Sequence, residues 1–133
     1  MMEAAVENAA ETGVLAVTVL TSMSDHDANE IGLPGGVATQ VVQLAHLAED
    51  AGVEGLVCAP GDVAAIRHKG VHLPIFTPAI RLTKEEDDQK RTGTPAEAVS
   101  AGADYLVVGR PVTRAADPVR AAREITESIR QIR

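Results

Sequence analysis

Thr77-Pro78-Ala79-Ile80-Arg81, a polar run through Asp88-Gln89-Lys90-Arg91, a helix start at Thr94-Pro95-Ala96-Glu97, and then Asp104-Tyr105-Leu106-Val107-Val108-Gly109-Arg110-Pro111: the fold turns on this stretch. Two short apolar runs each lead into a basic residue, Arg81 and Arg110. A strand that ends in Gly-Arg brings a bare backbone N–H and a guanidinium to one place, which is what an anionic group such as a phosphate needs. The gap between the runs is too long for a hairpin and long enough for a loop and a helix. The unit is strand–loop–helix–strand, with the two strands expected parallel.

The same alternation recurs along the rest of the chain. Met2, Ala5, Val6, Ala9 and Ala10 have helical spacing, and Gly13 stops that helix. The chain thus opens inside a helix with no capping residue in front of it. Residues 14–20, Val-Leu-Ala-Val-Thr-Val-Leu, read as a buried strand followed by a polar loop from Thr21. After Pro34-Gly35-Gly36, the residues Val37, Val41, Leu44, Ala45, Ala48 and Ala51 mark one face of a helix. Gly55-Leu56-Val57-Cys58 is a strand, and Pro60-Gly61-Asp62 opens a short helix carrying Val63 and Ile66. Leu73-Pro74-Ile75-Phe76-Thr77 is the next strand, its early proline compatible with the ladder. Thr94-Pro95-Ala96-Glu97 is a capping box with proline at the first helical position. The last helix starts at Asp117-Pro118, with Val119, Ala122, Ile125, Ile129 and Ile132 expected on its apolar face.

The order is a helix and then four strand–helix units in one domain spanning residues 1–133. Repeated alternation gives a parallel sheet with right-handed crossovers. Two architectures fit, a small doubly wound sheet or a segment of a (β/α)8 barrel. Both place ligands at the C-terminal ends of the strands, where Thr21-Ser22, Arg81 and Gly109-Arg110 gather.

Composition narrows the function classes. Of 133 residues, 45% are hydrophobic and only 2% aromatic, so the core must be aliphatic, as suits helices on a parallel sheet. A net charge of −7 argues against nucleic acid and acidic membrane surfaces, but a few local arginines can still dominate one cleft. No run approaches the ~20 apolar residues of a membrane span. No signal peptide is visible, so the cytoplasm is the expected setting. The single cysteine, Cys58, excludes an internal disulfide and reads as a buried inert thiol. Asp25-His26-Asp27 reads as a solvated loop, since three adjacent residues do not readily face one ion and no second ligand cluster exists. His46, His68 and His72 read as surface groups. Ser22 has no evident histidine base, which disfavours a nucleophilic serine. Residues 81–93 form a charged loop, either solvated or a mobile lid.

These pieces resemble the orotidine 5′-phosphate decarboxylase family. The matching segments are Val17-Thr18-Val19-Leu20-Thr21-Ser22-Met23, Gly55-Leu56-Val57-Cys58, Thr77-Pro78-Ala79-Ile80-Arg81, Asp88-Gln89-Lys90-Arg91 and Val108-Gly109-Arg110-Pro111-Val112-Thr113, in family order across essentially the whole chain. The resemblance implies an α/β fold: the parallel (βα)4 half of a TIM (β/α)8 barrel, preceded by a partial helix. It implies decarboxylation of orotidine 5′-phosphate (OMP) to UMP without metal or organic cofactor. Thr21 and Ser22 would contact the pyrimidine and its surroundings. Arg81, Gln89, Gly109 and Arg110 would hold the phosphate, Pro78 belongs to the same substrate-binding set, and the loop would close over the nucleotide.

Two departures stand out. Ala79 occupies a position that is usually glycine in the family's Thr-Pro-Gly-Ile-Arg pattern, and it would be strained if positive φ is needed there. The family's catalytic lysine lies in an Asp-x-Lys-x-x-Asp motif, and no such motif occurs in this sequence. The resemblance therefore covers the last four strand–helix units of the barrel and includes no catalytic residue. Four parallel strands cut from a barrel leave open edges and a bare face, so self-association or pairing with a missing half-barrel is expected. Three functions stay open: a decarboxylase polypeptide whose chemistry needs residues outside this chain, a non-catalytic phosphate- or nucleotide-binding half-barrel that self-associates, and a purely structural fragment. A sugar-phosphate decarboxylase would share the phosphate grip; the Leu-Thr-Ser and Asp-Gln-Lys-Arg pieces favour the nucleotide branch.

Overall fold

The structure is a computed structural model and describes residues 1–82, 91–130 and 132. Four parallel strands, β1 (Leu15–Val17), β2 (Gly55–Val57), β3 (Ile75–Thr77) and β4 (Tyr105–Leu106), form a single sheet in the order β1-β2-β3-β4. The helices are α1 (Met2–Glu7), α2 (Asp25–Glu30), α3 (Gly36–Asp50), α4 (Val63–His68), α5 (Pro95–Ser100), α6 (Arg110–Thr113) and α7 (Pro118–Arg130). A 3-10 turn, Pro60–Asp62, leads into α4. Sequential order of neighbouring parallel strands is the arrangement of a barrel wall, and this sheet is the (βα)4 half of a (β/α)8 barrel.

The two faces of the sheet differ. Register aligns Ala16 with Leu56 and Leu56 with Ile75, and these side chains pack toward the helices. There Leu56, Ile66, Ile75, Ile80, Val41, Val63 and Val71 are fully buried, so the core lies between sheet and helices. Side chains alternate along each strand. The opposite face therefore carries Leu15, Val17, Val57, Phe76 and Tyr105, with Val107 beyond β4. Of these, Leu15, Val17, Tyr105 and Val107 are 44–54% exposed. The Phe76 and Tyr105 rings stack on that face with centroids 4.4 Å apart.

Local sequence explains most element ends. Thr94 caps α5 through the expected box, accepting from Glu97 N at 3.2 Å while Glu97 accepts from Thr94 N at 2.8 Å. On α3, Val37, Val41, Ala45 and Ala48 are buried as their spacing requires. His46, His68 and His72 are exposed.

Four details differ from the expectations. Asp25-His26-Asp27 is not a solvated loop: it begins α2, capped by a Ser24–Asp27 box, and Asp25 Oδ1 accepts from Val37 N at 2.8 Å to cap α3 as well. The first helix stops at Glu7 with Asn8 as its C-cap, well before Gly13, and Ala10 beyond it adopts a positive φ of 52°. A short helix, α6, begins immediately at Arg110. The last helix buries Ala121 and Ile125, while Val119 and Ala122 are exposed. Ile125 is buried as expected, and contacts with α5 and α6 bury Ala121, one turn before it, in place of Val119 and Ala122.

Candidate functional site

Parallel strands put all four C-terminal ends on one rim. The Thr77 carbonyl accepts from Val107 N at 2.9 Å, which continues the Thr77–Leu106 pairing and sets Pro78 beside Val107, so that the chain leaves β3 and β4 at the same rim. Thr18 N and its hydroxyl both donate to the Val57 carbonyl, at 3.0 and 3.1 Å, and hold the end of β1 against β2. Thr21 and Ser22 follow on the same rim, half-buried and exposed respectively.

The turn after β3 is specialised. Ala79 has φ 60° and is 8% exposed, so the left-handed conformation for which this position would favour glycine is present with an alanine in it. An L-residue pays about 1–2 kcal/mol there. The turn lets Ile80 pair with Gly93 in an isolated parallel bridge: Arg81 N donates to Gly93 O at 2.9 Å and Gly93 N to Ala79 O at 3.4 Å. Gly93 itself is needed for close approach, since a Cβ there would lie 2.6 Å from Pro60 Cβ. The two ends of the 81–93 loop are thereby tied together at the rim. Residues 83–90, including the expected phosphate ligand Gln89, lie outside the described residues, as does the body of the expected lid.

The expected basic groups follow β3 and β4. Arg81 is half-buried and its Nη1 donates to Ile80 O at 2.8 Å. Gly109 caps α6, whose first residue is Arg110, and a Cβ placed on Gly109 would meet nothing within 4 Å. The backbone at Gly109 thus faces open space, room that a bound anion could use. Thr21, Ser22, Pro78, Arg81, Gly109 and Arg110 all follow C-terminal strand ends and occupy one rim.

Arg91 is a rim residue that the sequence reading did not single out for a role. Its Nη1 donates to Asp62 Oδ2 at 2.5 Å, and its Nη2 donates to the Val19 and Leu20 carbonyls at 3.1 and 2.9 Å. Its backbone N donates to Thr21 O at 3.2 Å. Burial pushes the Asp62 carboxyl above the usual aspartate range, and the Arg91 charge and hydrogen bond oppose that shift. The signal was available in Asp88-Gln89-Lys90-Arg91, but its partners lie 29 to 72 residues away in sequence.

The buried Cys58 thiol, 1% exposed at the end of β2, is pushed up to about 12, first by burial and then by Asp62. It stays protonated and cannot serve as a thiolate nucleophile. Among the described residues no group of three or more His, Cys, Asp and Glu could hold a metal ion. No described helix is long and apolar enough to cross a membrane. An open groove runs along α7 between Pro118 and Arg130.

This geometry defines a class: a (βα)4 half of a (β/α)8 barrel with basic residues at the C-terminal rim of its last two strands. The profile described as "Orotidine 5'-phosphate decarboxylase / HUMPS family" matches residues 1–125. The chain belongs to that family. It is 49% identical over 132 residues to the orotidine 5′-phosphate decarboxylase of Neisseria gonorrhoeae (strain NCCP11945), covering 94% of this chain and 54% of that protein. It is 48% identical over 118 residues to the one from Idiomarina loihiensis, covering 87% and 51%. The chain spans about half the length of the curated relatives it matches. Among solved structures, it superposes on orotidine 5′-phosphate decarboxylase from Lactobacillus acidophilus with a TM-score of 0.70 and 35% identity, covering 89% of this chain and 49% of that one. An uncharacterized conserved protein from Geobacillus kaustophilus matches with a TM-score of 0.76 and 29% identity, covering 97% and 58%.

Proposed function

We propose that this chain is the phosphate- and nucleotide-binding half of an orotidine 5′-phosphate decarboxylase, serving the conversion of OMP to UMP and CO2 in the cytoplasm. What supports this is that Thr21, Ser22, Arg81, Gly109 and Arg110 each follow the C-terminal end of a strand in one parallel sheet, with the two ends of the 81–93 loop pinned together. Arg81 and Arg110 supply the cationic, fork-shaped donors that suit a phosphate. Gly109 leaves room for an anion to approach the backbone. Gln89 would add a donor from the loop, and Thr21 with Ser22 would meet the pyrimidine end. The nucleotide branch is favoured over a sugar phosphate because the relatives at 48–49% identity are named for the nucleotide.

The sequence contains no Asp-x-Lys-x-x-Asp motif, so the chain holds the ligand without supplying the proton donor for decarboxylation and is inactive alone. The bare apolar face of the sheet, with Leu15, Val17, Tyr105 and Val107, takes the complementary half of the barrel, which would carry that motif. A half-barrel that pairs with its own copy is the second reading, and the same exposed face favours it.

Two experiments test the proposal. UMP titrated into the chain by calorimetry is expected to bind saturably and to lose affinity in Arg110→Ala; no binding by folded protein contradicts the reading. Decarboxylation is expected only after adding the first four strand–helix units of a full-length relative. Measurable UMP formation by the pure chain contradicts the assignment of the chemistry to the other half.

A further inference from the structure

Arg91 is placed where three strand ends meet. Its guanidinium joins Asp62, which closes the turn after β2, to the Val19 and Leu20 carbonyls after β1. Its backbone N–H reaches the Thr21 carbonyl, and two residues later Gly93 pairs with the Ile80 strand end after β3. One residue thus ties the base of the 81–93 loop to the backbone immediately before Ser22.

Stability alone does not explain this choice. The Arg91 side chain is 18% exposed and Asp62 is 12% exposed. Arg91 Nε is buried without a partner. A buried ion pair with a donor unmet is often no more stabilising than an apolar pair of similar volume. What the pair does supply is geometry: a planar fork that fixes three acceptors from two segments of chain at once.

We propose that Arg91 is a positioning residue that sets Thr21 and Ser22 at the correct distance from the phosphate-side residues Arg81, Gly109 and Arg110. This rests on the functional reading above, in which the two ends of the rim meet the two ends of one nucleotide. Arg91 touches no ligand in this account. It acts through the Val19–Thr21 carbonyls.

The first test needs no ligand. Hydrogen exchange followed by mass spectrometry is compared in the parent chain, Arg91→Ala and Arg91→Lys. In Arg91→Ala, amides of residues 18–24 are expected to exchange about tenfold faster or more, a loss of roughly one net hydrogen bond's protection. Residues 55–58 and 75–77 are expected to keep the parent rate. Arg91→Lys, a point charge without the fork, is expected to fall between the two. Unchanged exchange at 18–24 overturns the proposal. So does an equal acceleration everywhere, which marks Arg91 as a general stabiliser.

The second test compares two probes, UMP and inorganic phosphate. Arg91→Ala is expected to weaken UMP binding about tenfold, with phosphate affinity within about twofold of the parent, whereas Arg110→Ala weakens both. Equal losses for the two probes in Arg91→Ala overturn the inference. Absence of binding of either probe to the parent chain counts against the functional reading instead, and the exchange result then decides on Arg91.

Discussion

Two arginines brace opposite ends of the same sheet, and they are held differently. Arg67, at the end of α4, sits at the N-terminal ends of β3 and β4. It donates to the carbonyls of Gly102, Val71 and Leu73 at 2.9–3.2 Å and to Asp104 Oδ2 at 2.6 Å. The same Asp104 oxygen accepts from Ile75 N at 2.7 Å. Its Nε, Nη1 and Nη2 all make hydrogen bonds. Arg91, at the C-terminal ends, leaves its Nε unpartnered and faces a carboxyl that burial disfavours. Nearby are the left-handed Ala79 and the buried hydroxyl of Thr77, also without a partner. The satisfied end is built for stability. The other end tolerates strain and unmet donors, as expected where a barrel of this kind does its chemistry.

The largest effect is expected at Arg67. Arg67→Ala strips one donor group from three carbonyls and a carboxylate, and is expected to cost about 3 kcal/mol in urea unfolding. Ligand affinity per folded molecule should not change. A loss below about 1 kcal/mol would mean that the N-terminal end is not the stabilising one.

Ala79 sharpens the contrast from the other side. Ala79→Val places a β-branched residue at positive φ and is expected to cost about 2 kcal/mol or more. Ala79→Gly relieves the strain but loses a buried methyl and adds unfolded-state freedom, and should stay within about 1 kcal/mol of the parent. Comparable losses in both variants would mean that the conformation carries no strain. Thr77→Val removes an unpartnered buried hydroxyl and is expected to be neutral or to stabilise by up to about 1 kcal/mol in thermal unfolding. A clear destabilisation would reveal a hydrogen bond that the geometry does not show.

Asp62 gives a pH test with a definite sign. Its folded pKa is raised, so between the usual aspartate value and the raised one the folded state binds more protons than the unfolded state. Stability contributed by the protonated form is present below the unfolded pKa and is lost as pH rises through the folded pKa. The unfolding free energy of the parent minus that of Asp62→Asn should therefore fall as pH rises through the acid range. A rising difference would mean that the Arg91 charge outweighs burial. Cys58 offers the smallest effect: its thiol should resist a maleimide or disulfide reagent at pH 8 while the chain is folded, and react on unfolding.

Much of the architecture was legible because it is local. Aliphatic runs of strand length, glycines after helices and the Thr94–Glu97 box report themselves within a few residues. Ala79 was legible as a strained position because its neighbours match a glycine-bearing turn. The start of α2 carried a readable signal, Ser24-x-x-Asp27, which is a capping box with aspartate in place of glutamate. The Arg67–Asp104 and Arg91–Asp62 links were not legible, because they join residues 37 and 29 apart and nothing in either segment announces the other. On α7 the burial of Ile125 was legible, but that of Ala121 in place of Val119 and Ala122 was hidden, since it depends on contacts with α5 and α6. Of the site residues, Thr21, Ser22, Pro78, Arg81, Gly109 and Arg110 share the rim, and their hold on a ligand is the proposal to be tested.

UMP titration into the parent chain and into Arg110→Ala, with solution mass measured on the same samples, decides whether the strand-end rim holds a nucleotide. Saturable binding by the parent is expected, with about a tenfold or greater loss in Arg110→Ala and an unchanged unfolding midpoint. Folded parent protein that binds no UMP, or binds it equally well without Arg110, would contradict nucleotide binding at the rim.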